Sequence, residues 1–112
     1  MMVNKEEVFK ELKNDQVVIL NVLSKSEFKK LRINSSENHT LTGDTKLFSK
    51  EVEEKFGKDK SFIVYGDHFG LLDSYEAAKA LTDAGIKAVN YSGGVQEWYK
   101  AGFPVEGTEV NV

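Results

Sequence analysis

Two adjacent residues, Asp67 and His68, hold the densest chemistry in this 112-residue chain. A carboxylate beside an imidazole can shuttle a proton or start a metal site. Asp73 lies six positions further on, and Glu37, Asn38 and His39 offer similar groups in the first half of the chain. None of these spacings is a metal-ligand signature, and the bland reading of all of them is solvated loop. Asp67 can also be considered as a carboxylate nucleophile, but no lysine or further acids are spaced to support it. The chain contains no cysteine, so it supplies no thiolate nucleophile, no disulfide and no zinc–thiolate site. No lysine or arginine occurs between Lys60 and Lys79. If Asp67 and Asp73 are both ionised near the mouth of this loop, they would repel an anion there.

These residues need elements to position them. Asn4 with Glu7 has the form of a capping box and opens a helix over about 5–13 with Val8, Phe9 and Leu12 on one face. Val17-Val18-Ile19-Leu20-Asn21-Val22 is a β-branched run too short for a helix and reads as a buried strand. Ser24 with Glu27 opens a short helix carrying Phe28 and Leu31. Residues 32–44 are polar and turn-rich and read as loop. Phe48, Val52 and Phe56 mark a helix over about 46–56 that Gly57 stops. Phe62-Ile63-Val64-Tyr65 is the strongest strand, and Gly66 to Leu72 form the loop beyond it. Asp73 with Glu76 reads as a third cap, and Ala77, Ala78, Leu81 and Ala84 as a closely packed helix ended by Gly85. A strand over 87–91 and a helix with Val95, Trp98 and Tyr99 complete the chain, closed by Gly102. The spacing places Trp98 in the core.

Strands alternating with helices predict an α/β domain, with a mostly parallel sheet of four or five strands covered on both faces. Ligands of such sheets sit beyond the carboxyl ends of the strands, which points to the loop 66–72. The length suits one domain over residues 1–112. A net charge of −3 and a pI near 5.4 argue against nucleic acid, which needs a basic face. No apolar run is long enough to span a bilayer and no secretory leader is visible, so the expectation is a cytoplasmic protein without a membrane partner.

The stretch Asn90-Tyr91-Ser92-Gly93-Gly94-Val95-Gln96-Glu97-Trp98-Tyr99-Lys100-Ala101-Gly102-Phe103-Pro104-Val105 resembles the C-terminal signature of the rhodanese family. That signature runs Gly-Gly, an aliphatic residue, two variable positions, Trp, and then Ala-Gly-aliphatic-Pro-Val. The strand 62–65, the following loop, Ser74 and Ala77-Ala78 are similar to the family's central strand, active loop and next helix. The resemblance, weaker in the N-terminal half, implies a three-layer rhodanese-like domain. It also implies where chemistry should be. The family's catalytic cysteine follows the Val-Tyr of the central strand, a position held here by Gly66. Its Asp-Val-Arg corresponds to Asn21-Val22-Leu23, and its His-Ile-x-Gly-Ala to Arg32-Ile33-Asn34-Ser35-Ser36. One subgroup has a second cysteine in a longer loop, where this chain reads Leu71, Leu72 and Asp73.

Sulfur transfer in that family runs through a persulfide on the cysteine. Losing the nucleophile of a covalent enzyme costs roughly a million-fold in turnover, on the order of 8 kcal/mol of barrier. The expectation is a catalytically inactive rhodanese-homology domain. It has a vestigial loop of Gly66, Asp67, His68, Phe69, Gly70, Leu71 and Leu72, and Asp73 as helix cap. No catalytic residue, metal or cofactor is expected. The domain then serves as a binding or regulatory module, linked to sulfur or redox metabolism, with a protein partner reached through residues 66–72. The alternative is an enzyme of altered chemistry that uses Asp67 and His68 with a metal or a polar substrate. Two fates stay open for Phe69, Leu71 and Leu72: an exposed patch for a partner, or a plug filling the vacated pocket. Gly66 itself also has a plain explanation, as a residue that permits a tight turn.

Overall fold

The computed structural model describes residues 1–110. In chain order the elements are α1 Lys5–Lys10, β1 Val17–Asn21, α2 Lys25–Lys30, β2 Arg32–Ile33, β3 Glu37–Asn38, α3 Thr45–Phe56, β4 Ser61–Tyr65, α4 Asp73–Asp83, β5 Ala88–Tyr91, α5 Gly94–Lys100 and β6 Val105–Glu106. The main sheet is fully parallel, in the order β3-β1-β4-β5, and β2 pairs with β6 in a small antiparallel ribbon. This is the α/β, mostly parallel, helix-covered architecture that the alternating pattern predicts. Residues 1–3 extend the sheet past β5, with Val3 N–H donating to Asn90 O and Asn90 N–H to Met1 O.

Alternation along each strand divides two apolar cores. Leu20, Phe62 and Val64 face α3 and α4, with Phe48, Val52, Ala77 and Leu81. Ile19, Ile63, Tyr65 and Tyr91 face α1 and α5, with Val8, Ile33, Val95 and Trp98. Buried on both faces, β4 needs the unbroken apolar run that made it legible. Trp98 is fully buried, as its spacing predicts, and its Nε1–H donates to Pro104 O at 2.7 Å.

Three local expectations change. The stretch 32–44 is not all loop, because it contains β2 and β3; two-residue strands are too short for any alternation to show. The first helix ends at Lys10 rather than 13, and residues 11–13 form a turn. Asp73 is not the cap of α4. The N-cap position falls on Leu72, whose backbone already has helical angles (φ −91°, ψ −8°), and no side chain caps the helix. Asp73 lies inside the first turn, where its carboxylate can favour the helix dipole without bonding to it. The Asn4–Glu7 box forms in full, Ser24 accepts from Glu27 N–H, and Asp44 caps α3.

Candidate functional site

The carboxyl ends of β1, β4 and β5 converge on residues 21–23, 65–68 and 91–94. Gly66 follows β4 directly and is buried. Its backbone is not left-handed, and a Cβ built on it would meet only Leu23 Cδ2, at 3.9 Å. Neither conformation nor space therefore requires glycine here. The position has room for the first atoms of a larger side chain, and its neighbour Leu23 is apolar.

The loop has two halves. Its start is strapped to α5. Val95 N–H donates to Gly66 O at 3.0 Å and Gln96 N–H to Asp67 O at 2.9 Å. These loop carbonyls satisfy first-turn amides of α5, which has no side-chain cap. The approach demands Gly94, since a Cβ there would sit 2.5 Å from Asp67 O and its φ is +73°. The Asp67 carboxylate is engaged on both oxygens: Gln96 Nε2 donates to Oδ1 at 3.1 Å, and His68 Nδ1 lies 3.0 Å from Oδ2.

The second half of the loop projects outward. Phe69 is 75% exposed, Leu71 44% and Leu72 64%, and Tyr75 on the first turn of α4 is 52% exposed. Of the two fates open to these apolar residues, the structure takes the exposed patch. They do not fill the space over Gly66.

The floor of the site holds polar groups that spacing did not reveal. Asn21, fully buried, accepts from Leu23 N–H (2.8 Å) and from Asn38 Nδ2 (3.2 Å), while its own Nδ2 has no partner among the described residues. Asn38 Nδ2 also donates to Leu23 O at 2.9 Å. Tyr65 Oη accepts from Ile33 N–H at 3.1 Å and lies 2.8 Å from Ser36 Oγ, which donates to Ile33 O. Burial raises the Tyr65 pKa, against the opposing hydrogen bonds of Ser36 and Ile33, the nearby Asn21 side chain and the charge of Arg32. Burial likewise raises Tyr91, reinforced by its hydrogen bond to Glu97 and the charges of Glu97 and Glu6. Partners such as Ser36 and Tyr65 are 29 residues apart, beyond any local pattern.

His39 does not join Asp67 and His68. It pairs with Glu51 of α3 at 3.0 Å and packs on Phe48. Among the described residues no three His, Asp or Glu side chains converge as a metal would need. No helix among them is long and apolar enough to cross a membrane.

A family model described as the rhodanese-like domain matches residues 4–101. Solved structures share the fold. A protein from Bacillus halodurans superposes with a TM-score of 0.82 at 17% identity, covering 96% of this chain and 77% of the other. A rhodanese-related protein from Thermoplasma volcanium gives 0.75 at 24% identity, covering 94% and 96%. The rhodanese-like domain of an Anabaena protein gives 0.78 at 20% identity, covering 96% and 80%. No curated protein matches the chain. With nearly all of its length matched, with the parallel sheet in place and with no sulfur at the mouth of β4, this chain belongs to the rhodanese-like domain family as a member without the cysteine.

Proposed function

We propose that this domain does not transfer sulfur and instead acts as a binding or regulatory module, docking a protein partner through residues 66–72. The observation that carries this reading is the pairing at one loop. Gly66 stands where a persulfide would form, while Phe69, Leu71 and Leu72 beside it are held out to solvent. An exposed apolar group of this kind, next to a loop strapped firmly at its base, suits a docking surface. A link to sulfur or redox metabolism rests on family membership alone, and fold analogy does not name a partner.

Two measurements test the proposal. Pure protein incubated with thiosulfate and cyanide is expected to yield no thiocyanate above the uncatalysed rate; clear turnover refutes the non-catalytic reading. The double variant Phe69→Ser/Leu72→Ser is expected to fold as the parent does and to lose partner capture. Undiminished capture by that variant would move the docking surface elsewhere.

A second reading has one observation in its favour, the 3.0 Å contact between Asp67 and His68. An acid/base pair acting on a polar substrate, or two ligands of a metal, would use that contact. Gln96 holds the other oxygen of that carboxylate, at 3.1 Å, and would orient it. Melting in the presence of zinc, manganese or magnesium tests it, since stabilisation that disappears in Asp67→Ala and His68→Ala would raise this reading above the first.

A further inference from the structure

We propose that the groove between α2 and the β2–β3 turn binds a small polyanion, a molecule carrying two or more phosphate or carboxylate groups. The groove is a cavity of about 570 Å³ and shares no residue with the loop 66–72, so it is independent of the docking reading. Lys25, Lys29, Arg32 and Lys55 line it, against the acids Glu37 and Glu106. A local surplus of two positive charges thus stands on a chain of net charge −3.

Two of the cations are held in place. The Arg32 guanidinium lies 5.0 Å from the centroid of the Phe28 ring, its Nη1 donates to Phe28 O at 3.3 Å, and its Nε is 3.8 Å from Glu106. Lys55 Nζ donates to Asn38 O at 3.2 Å. The wall behind them is the bonded set already described, with Asn38 tied to Asn21 and Leu23 and Ser36 tied to Tyr65. Fixed donors on fixed walls lose little freedom when a ligand arrives.

The other two cations are unspent. Lys25 and Lys29 stand one turn apart on α2 and make no ion pair among the described residues. Lys29, in the last turn, is explained by the helix dipole. Lys25 is not. It is the first residue of α2, the end where a positive charge is disfavoured. The groove also carries strain at its rim, because Ser35 is the one non-glycine residue with positive φ (69°) among the described residues. Its N–H donates to Glu106 Oε1 at 3.0 Å, which occupies the acid nearest Arg32. A misplaced cation and a strained backbone cost the fold something, and both border this groove.

Valence follows from magnitude. One exposed ion pair contributes little and is screened over roughly 8 Å at physiological salt. A single negative charge would gain too little against two residual carboxylates, whereas a ligand that bridges several cations gains from each.

Inorganic tripolyphosphate titrated into the ¹⁵N-labelled chain at low ionic strength tests this. Saturable amide shifts confined to Lys25, Lys29, Arg32 and their neighbours are expected. Affinity should fall about tenfold or more in Lys25→Ala/Lys29→Ala, on the order of two exposed charge contacts. It should be unchanged in Lys46→Ala/Lys50→Ala, which removes a lysine pair from a different groove, between α3 and α4. Citrate in place of tripolyphosphate distinguishes the group recognised, and tighter binding of either one supports a polyanion site. An unshifted Trp98 indole proton verifies that the variants are folded. Shifts spread evenly over all lysines, an unaffected Lys25/Lys29 variant, or binding of single-stranded RNA without binding of tripolyphosphate would each overturn the proposal.

Discussion

At the scale of single residues, Gly66 decides the reading. Its Cβ position is open, so Gly66→Cys should be accommodated and leave the denaturation midpoint nearly unchanged. The new thiol would face Leu23, and no lysine or arginine lies between residues 60 and 79 to depress its pKa. We expect the variant to show no more than marginal thiosulfate:cyanide activity, and a strong gain would show that the missing cationic support is unimportant. Tyr91 offers a second test. Its phenol is held protonated by burial and by Glu97, so the folded state keeps its proton above the ordinary value of 10.0. The stabilising contribution is complete below pH 10 and is lost as pH rises, because the unfolded chain gives up its proton first. Urea midpoints from about pH 8 to about pH 11 should fall steeply in the parent. In Tyr91→Phe the fall should be shallower, although its midpoint at neutral pH is lower through the lost hydrogen bond.

At the scale of elements, the loop 66–72 and helix α5 form one unit. Loop carbonyls cap the helix, and the helix pins the loop. The contact passes through Gly94, where any side chain meets both a left-handed backbone and the Asp67 carbonyl. Gly94→Ala should therefore cost about 2–4 kcal/mol in chemical denaturation, well above an ordinary surface change. The outer half of the loop behaves differently. Phe69 and Leu72 lie mainly in solvent, so Phe69→Ser/Leu72→Ser should shift stability by no more than about 0.5 kcal/mol per site. A larger loss, measured the same way, would mean that these residues pack inward in solution.

At the scale of the whole molecule, Trp98 joins parts distant in sequence. It stacks edge-on against Phe103 (4.9 Å) and Tyr91 (6.1 Å), and its indole N–H holds the Pro104 carbonyl. That bond anchors the segment leading into β6, which pairs with β2. Trp98→Ala should cost about 3–5 kcal/mol and loosen β2 and β6 together, visible as faster amide exchange at Ile33 and Val105.

The sequence by itself determined the main elements, the two-sided burial of the sheet and the empty catalytic position. Each of these is written locally: apolar periods of 2 and 3.6, capping residues such as Asn4 and Ser24, and a motif that runs from Gly93 to Val105 with Phe103 at its aliphatic position. Only the tertiary structure decided the rest. It put β2 and β3 inside an apparent loop, because two residues carry no period and their pairing partners lie far away in the chain. It put the N-cap of α4 at Leu72 and Asp73 in its first turn, because the loop enters the helix already coiled. It turned Phe69, Leu71 and Leu72 outward and tied Asp67 to Gln96, because the amides of α5 hold the start of the loop and leave its tip in solvent. Hydrophobic pattern specifies which segments are buried, but the direction of a loop depends on the hydrogen-bonding groups that surround it after folding.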